Sequence, residues 1–95
     1  MSLLENPMHP GEVLAELYLS PLSMSAIALA NHLHVPRTRI ERLIKGTTSM
    51  TPDTALRLSR AFNTTPNYWM NMQVNFDMAG AVQAGDALGI ERLVA

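Results

Sequence analysis

Residues 35–45, VPRTRIERLIK, constrain the fold of this chain more than any other stretch. Pro36 disfavours helix at Val35, so the backbone must turn there before a new helix begins. Beyond the turn, Ile40, Leu43 and Ile44 recur at i, i+3 and i+4 and make one apolar face. Thr38, Glu41, Arg42 and Lys45 make the opposite face, and Arg37 and Arg39 fall in the first turn. Arg37, Arg39, Arg42 and Lys45 are four of the seven basic residues in the chain. The pattern describes a short helix with its back in a core and its front offering cations and hydroxyls. A solvated surface helix would read the same way, so the preceding segment decides between them.

That segment is a second short helix. Ser25 can cap it, and over Ala26–Leu33 the apolar positions Leu29, Ala30 and Leu33 turn inward. Ala30 is small where another helix has to approach closely. His34 falls where the chain leaves the helix, and histidine tolerates the left-handed region better than most residues. Two helices joined by three or four residues, with a small residue in the first and cations on the second, form a helix-turn-helix pattern. The second helix is of a length that a DNA major groove admits.

Around this pair the punctuation predicts three further helices. His9-Pro10-Gly11-Glu12 places proline at a first helical position and glutamate where a capping box needs it. This predicts a helix over residues 10–19 with Val13, Leu14 and Leu17 inward, and a break at Ser20-Pro21-Leu22-Ser23. Gly46 suits a left-handed cap after the cationic helix. Thr51-Pro52-Asp53 then combines a cap hydroxyl, a proline and a first-turn acid, predicting a helix to about Phe62. Thr65-Pro66 repeats the signal for a fifth helix, from residue 66 to about 79. Gly80, Gly85 and Gly89 interrupt the remainder, where a short element is expected near residues 90–94. The expected organisation is an arm over residues 1–8, a DNA-binding domain over 9–79 and an extension over 80–95.

The fifth helix has more apolar surface than one face can hold. Met72 and Phe76 fall within about 60° of Trp69. Met70, Val74 and Met78 form a second stripe roughly 100–180° away. One stripe closes the core; the other is the expected homodimer interface, with the tail folding back over it as the alternative.

Length and charge agree. A chain of 95 residues buries only about 60–65% of its unfolded surface, which favours an oligomer. It contains no cysteine, which excludes disulfides and Cys-based zinc sites. No apolar run approaches membrane-spanning length, so a soluble cytoplasmic protein without membrane partners is expected. The net charge of −1 hides an asymmetry. Residues 35–60 carry Arg37, Arg39, Arg42, Lys45, Arg57 and Arg60 against Glu41 and Asp53, for a net +4, and the rest of the chain stands at −5. A basic middle on an acidic frame suggests one face for a polyanion and another for a different partner. Catalytic chemistry is missing from the pattern. Glu12 and Glu16 read as solvated charges favoured by the helix dipole. His32 and His34 would point about 200° apart on a helix and form no metal pair. No nucleophile motif, phosphate loop or HExxH occurs. No enzyme, cofactor or metal is expected, and the methionines read as packing.

The segments together resemble HigA antitoxins, within the Xre/Cro-like, lambda-repressor-like helix-turn-helix group. The resemblance runs over roughly residues 7–78. It is carried by His9-Pro10-Gly11-Glu12, Arg37-Thr38-Arg39-Ile40, Ile44-Lys45-Gly46, Thr51-Pro52-Asp53-Thr54-Ala55-Leu56-Arg57-Leu58 and Thr65-Pro66-Asn67-Tyr68-Trp69-Met70-Asn71-Met72-Gln73. It implies an all-α fold, a five-helix helix-turn-helix domain with a short C-terminal extension. It further implies a homodimer, operator DNA as a partner, repression of the protein's own operon and neutralisation of a small basic toxin of the HigB ribonuclease type. By position, Arg37, Thr38, Arg39 and Arg42 would read DNA, with Ser25 and Lys45 near phosphates. Ala26 departs from the glutamine usual in the wider group, and Pro36 from the usual serine cap. A stand-alone dimeric regulator and an interaction module that has lost DNA binding stay open as alternatives.

Overall fold

The computed structural model describes residues 6–94, and among them there are helices and no strands. Five helices follow one another: α1 Pro10–Leu22, α2 Ala26–Leu33, α3 Arg37–Ile44, α4 Pro52–Phe62 and α5 Pro66–Ala84. A 3-10 turn, Gly85–Leu88, follows α5. Residues 1–5 of the expected arm and Ala95 lie outside the described residues; Pro7 and Met8 are half-buried.

Local chemistry sets most boundaries. Ser25, Thr51 and Thr65 each accept a hydrogen bond from the backbone N–H three residues on, and Pro52 and Pro66 open their helices. His34 and Asn63 end α2 and α4 in the left-handed region, at φ 60° and 54°. At α1 the cap differs from the expected capping box. The His9 imidazole itself accepts from Gly11 N–H at 2.9 Å, and Glu12 is exposed.

The break expected over Ser20-Pro21-Leu22-Ser23 falls only at its last residue, because α1 widens into a π turn over Leu14–Leu19. Ser20 N–H donates to Ala15 C=O, five residues back. A proline in a regular helix meets the carbonyl four residues earlier and removes a hydrogen bond. The wider turn just before Pro21 lets the helix continue to Leu22, where Ser23, at φ 52°, ends it. The same turn rotates the apolar face. Val13 and Leu14 are buried as expected, but Leu17 is 61% exposed and Leu19 takes its place in the core.

The core gathers Leu14, Leu19, Leu29, Ala30, Leu33, Ile40, Leu43, Met50, Ala55, Leu58 and Trp69. Ala30 is fully buried, as the close helix approach requires. Gly11 answers a similar need where α1 crosses the end of α3: a Cβ there would overlap the Leu43 carbonyl. Buried polar groups are tied. Trp69 Nε1 donates to Thr64 Oγ1 at 2.8 Å, and Gln73 Oε1 accepts from Met50 N–H at 2.7 Å.

α5 departs from expectation in both length and face. It runs through Gly80 to Ala84. A glycine costs about 1 kcal/mol relative to alanine in a helix, but Ala79, Ala81 and Ala84 surround it and no proline follows Pro66. Its fully buried residues are Trp69 and Gln73; Met72 is half-buried and packs against the core as expected, whereas Phe76 does not. Phe76 is 40% exposed and meets the His9 ring edge-on at 5.0 Å. In the second stripe, Met70 packs against the core, whereas Val74 and Met78 are exposed. The short element expected near residues 90–94 does not form; the last regular turn is Gly85–Leu88, and Gly89 leaves it at φ 63°.

Candidate nucleic-acid interface

The cationic helix α3 is fixed from behind and open in front. Ile40 and Leu43 are buried and Ile44 half-buried, whereas Arg37, Thr38, Arg39, Arg42 and Lys45 are exposed. Its C-terminus closes tightly. Gly46 N–H donates to Leu43 C=O, and Thr47 N–H to Arg42 C=O, both at 3.0 Å. Gly46 takes φ 75° to allow it, the geometry of a Schellman cap. Its N-terminus carries no side-chain cap, since Pro36 has none to give. The first turn therefore presents backbone N–H groups and side chains together.

Thr38, Arg39 and Arg42 line one open cleft of about 490 Å³ with Thr48, Ser49, Thr51 and Asp53 of the following loop and helix. This arrangement concentrates guanidinium groups and hydroxyls, the donors that phosphate and base edges take up. Arg37 lies outside the cleft, with its Nε 3.9 Å from Glu41 Oε1 on the exposed helix surface. Among the described residues no carboxylate comes within ion-pairing distance of Arg42 or Lys45. Ser25 is exposed at the start of α2; its Oγ accepts from Ala28 N–H at 3.1 Å. Its hydroxyl proton stays available to a phosphate oxygen.

The sequence reading missed one contact. Arg39 Nη1 donates to Asp53 Oδ2 at 2.6 Å, and Arg57 Nε donates to the same oxygen at 3.0 Å. The Arg39 hydrogen bond, and then that of Arg57, hold the Asp53 carboxyl below the usual carboxylate range. Asp53 and Arg57 stand at i, i+4 on a helix, which was legible; the approach of Arg39 from another helix was not.

A second surface lies at the far end of α5. Val74 and Met78 are about half exposed, and Val82, Leu88, Ile90, Leu93 and Val94 more so. Where such side chains adjoin, they offer a surface to a partner. No single helix among the described residues is long and apolar enough to cross a membrane.

Comparison with known proteins follows the same lines. The helix-turn-helix family model HTH_3 matches residues 14–69. The chain is 43% identical over 83 residues to virulence-associated protein I of Dichelobacter nodosus, covering 87% of this chain and 77% of that protein. Its structure is similar to that of an addiction module antidote protein of the HigA family from Coxiella burnetii. There the TM-score is 0.85 and the identity 41%, over 95% of this chain and 99% of that one. It is also similar to antitoxin GraA in complex with its operator, with TM-score 0.86 and 39% identity, over 95% and 94% of the two chains.

Proposed function

The chain belongs to the helix-turn-helix family, in its HigA-like antitoxin branch, and from that premise we propose a DNA-binding antitoxin that represses its own operon and neutralises a HigB-like ribonuclease. One observation carries the reading. A short helix anchored in the core by Ile40 and Leu43 presents Arg37, Thr38, Arg39 and Arg42 outward from an N-terminus with no side-chain cap. The first turn of the second helix is the part of a helix-turn-helix that reaches base edges. Arginine suits that place because its planar fork pairs bidentately with guanine. Ser25 and Lys45 flank the reading turn and hold phosphates, fixing register without reading sequence.

The reading includes a homodimer. Val74 and Met78 of α5, with the exposed apolar residues of the tail, form the face through which two copies associate; Met70 supports that face from the core side. The toxin engages elsewhere. The acidic surface of the chain, Glu12 and Glu16 of α1 included, complements a small basic protein, and the α3 face is committed to DNA.

Co-expression tests the toxin arm. With the ribonuclease encoded beside this chain's gene, the wild-type chain should restore growth, and Arg39→Ala should restore it equally. Loss of rescue in Arg39→Ala would move the toxin contact onto the DNA face. Failure of the wild-type chain to rescue would leave a regulator without a toxin.

A further inference from the structure

We propose that Asp53 is a specificity-determining positioning residue, which aims Arg39 at a base edge and withholds it from phosphates on random DNA. The proposal rests on the DNA-binding reading above. Asp53 stands on the first turn of α4, outside the reading helix, and its side chain is half exposed. Its Oδ2 accepts from Arg39 at 2.6 Å and from Arg57 at 3.0 Å. Arg57 in turn donates through Nη1 to the Leu33 carbonyl at 2.7 Å. A line of hydrogen bonds therefore runs from the buried end of α2, through α4, to the first turn of α3. Arg57 fixes the carboxylate, and the carboxylate fixes the arginine.

Two consequences follow for recognition. A guanidinium has five N–H donors in a rigid fork, so one bond to Asp53 leaves an edge able to pair with a base. An arginine already held loses less rotational freedom when it does so. The carboxylate also lies in the cleft with Thr38, Arg42, Thr48 and Ser49, where its charge repels a phosphate seated out of register. On random DNA Arg39 stays neutralised and releases no counterion. An exposed ion pair contributes little to fold stability, so the effect belongs to recognition rather than to folding.

The test uses two probes: a duplex recovered by in vitro selection with the wild-type chain from a random library, and a random-sequence duplex. Dissociation constants are measured across a salt series for wild type, Asp53→Asn, Asp53→Ser, Arg39→Ala and the double variant Arg39→Ala/Asp53→Asn, each with its melting curve. Asp53→Asn and Asp53→Ser should bind random duplex more tightly and steepen its logarithmic salt slope by about 0.9, one added phosphate contact. The preference for the selected duplex should fall about tenfold, within the range of a lost arginine–guanine pair. In the Arg39→Ala background the Asp53 change should leave that preference unaltered. Equal changes on both duplexes, or the same loss of preference without Arg39, would overturn the proposal. If selection with the wild type yields no consensus, the DNA-binding reading fails and this inference falls with it. If the wild type discriminates and the Asp53 variants discriminate equally, this inference alone fails.

Discussion

At the scale of single residues, the proposed reading divides recognition between Arg39 and Lys45. Arg39 stands in the first turn of α3 and is proposed to meet base edges; Lys45 caps the other end and is proposed to meet the backbone of a duplex. Arg39→Ala should weaken operator binding by about 1–3 kcal/mol while affecting random duplex much less. Lys45→Ala should weaken both equally and reduce the salt slope by about one contact. Anisotropy titrations on the two duplexes separate the cases, and a uniform loss in Arg39→Ala would reassign that residue to phosphate. The exposed cations were legible in the sequence because a helical period fixes which side chains share a face. The clasp on Arg39 was not, since Asp53 lies fourteen residues further on and only the packing of α4 against the recognition pair brings it near. Ser25 was legible as a cap and serves as one.

At the scale of elements, the helix starts were readable because threonine followed by proline is a local signal, and Thr51 and Thr65 cap as that signal requires. What escaped was the outcome of competing local terms. Pro21 argues for a break, yet the π turn relieves it; Gly80 argues for an end, yet its alanine neighbours carry the helix onward. The helical period turns Trp69 inward, and the other fully buried residue of α5 is Gln73. That glutamine is polar, and a hydrophobic count passes over it, although Met50 N–H and Asp77 satisfy both ends of its amide. The join between α1 and α5 makes a pH-dependent prediction. Tyr18 donates to the Tyr68 hydroxyl at 3.0 Å. Burial, and then Tyr68, push the Tyr18 phenol from 10.0 up to about 12. The unfolded chain loses that proton first, so stability present below pH 10 should decline as the pH rises towards about 12. Chemical denaturation across that window, compared with Tyr18→Phe, isolates the contribution. An equal decline in the variant would assign the loss to other groups. The outward stripe of α5 makes the other prediction at this scale. Val74 is 52% exposed, so Val74→Asp disturbs little within one chain and should yield monomer in sedimentation. An unchanged dimer would take this helix out of the interface.

For the whole molecule, the described residues form a helical body with a long axis of 52 Å and cross-sections of 26 and 23 Å. The cationic helix lies on the body, and the end of α5 carries the exposed apolar surface. On the proposed reading, the cationic helix meets DNA while the apolar end of α5 meets a second copy. A two-fold dimer of this kind should bind half-sites with centres roughly 34–36 Å apart, one helical turn. The net charge of −1 leaves little general attraction to DNA, so on the proposed reading preference arises from the short row Arg37–Thr38–Arg39–Arg42. The most direct test is therefore titration of the wild-type chain, at moderate salt, against its own promoter duplex and against random duplex of equal length, followed by footprinting of the bound promoter. The account predicts clear preference for the promoter and a palindromic footprint with half-sites one turn apart. Equal affinity for the two duplexes would contradict it and leave a protein-interaction module on a helix-turn-helix scaffold.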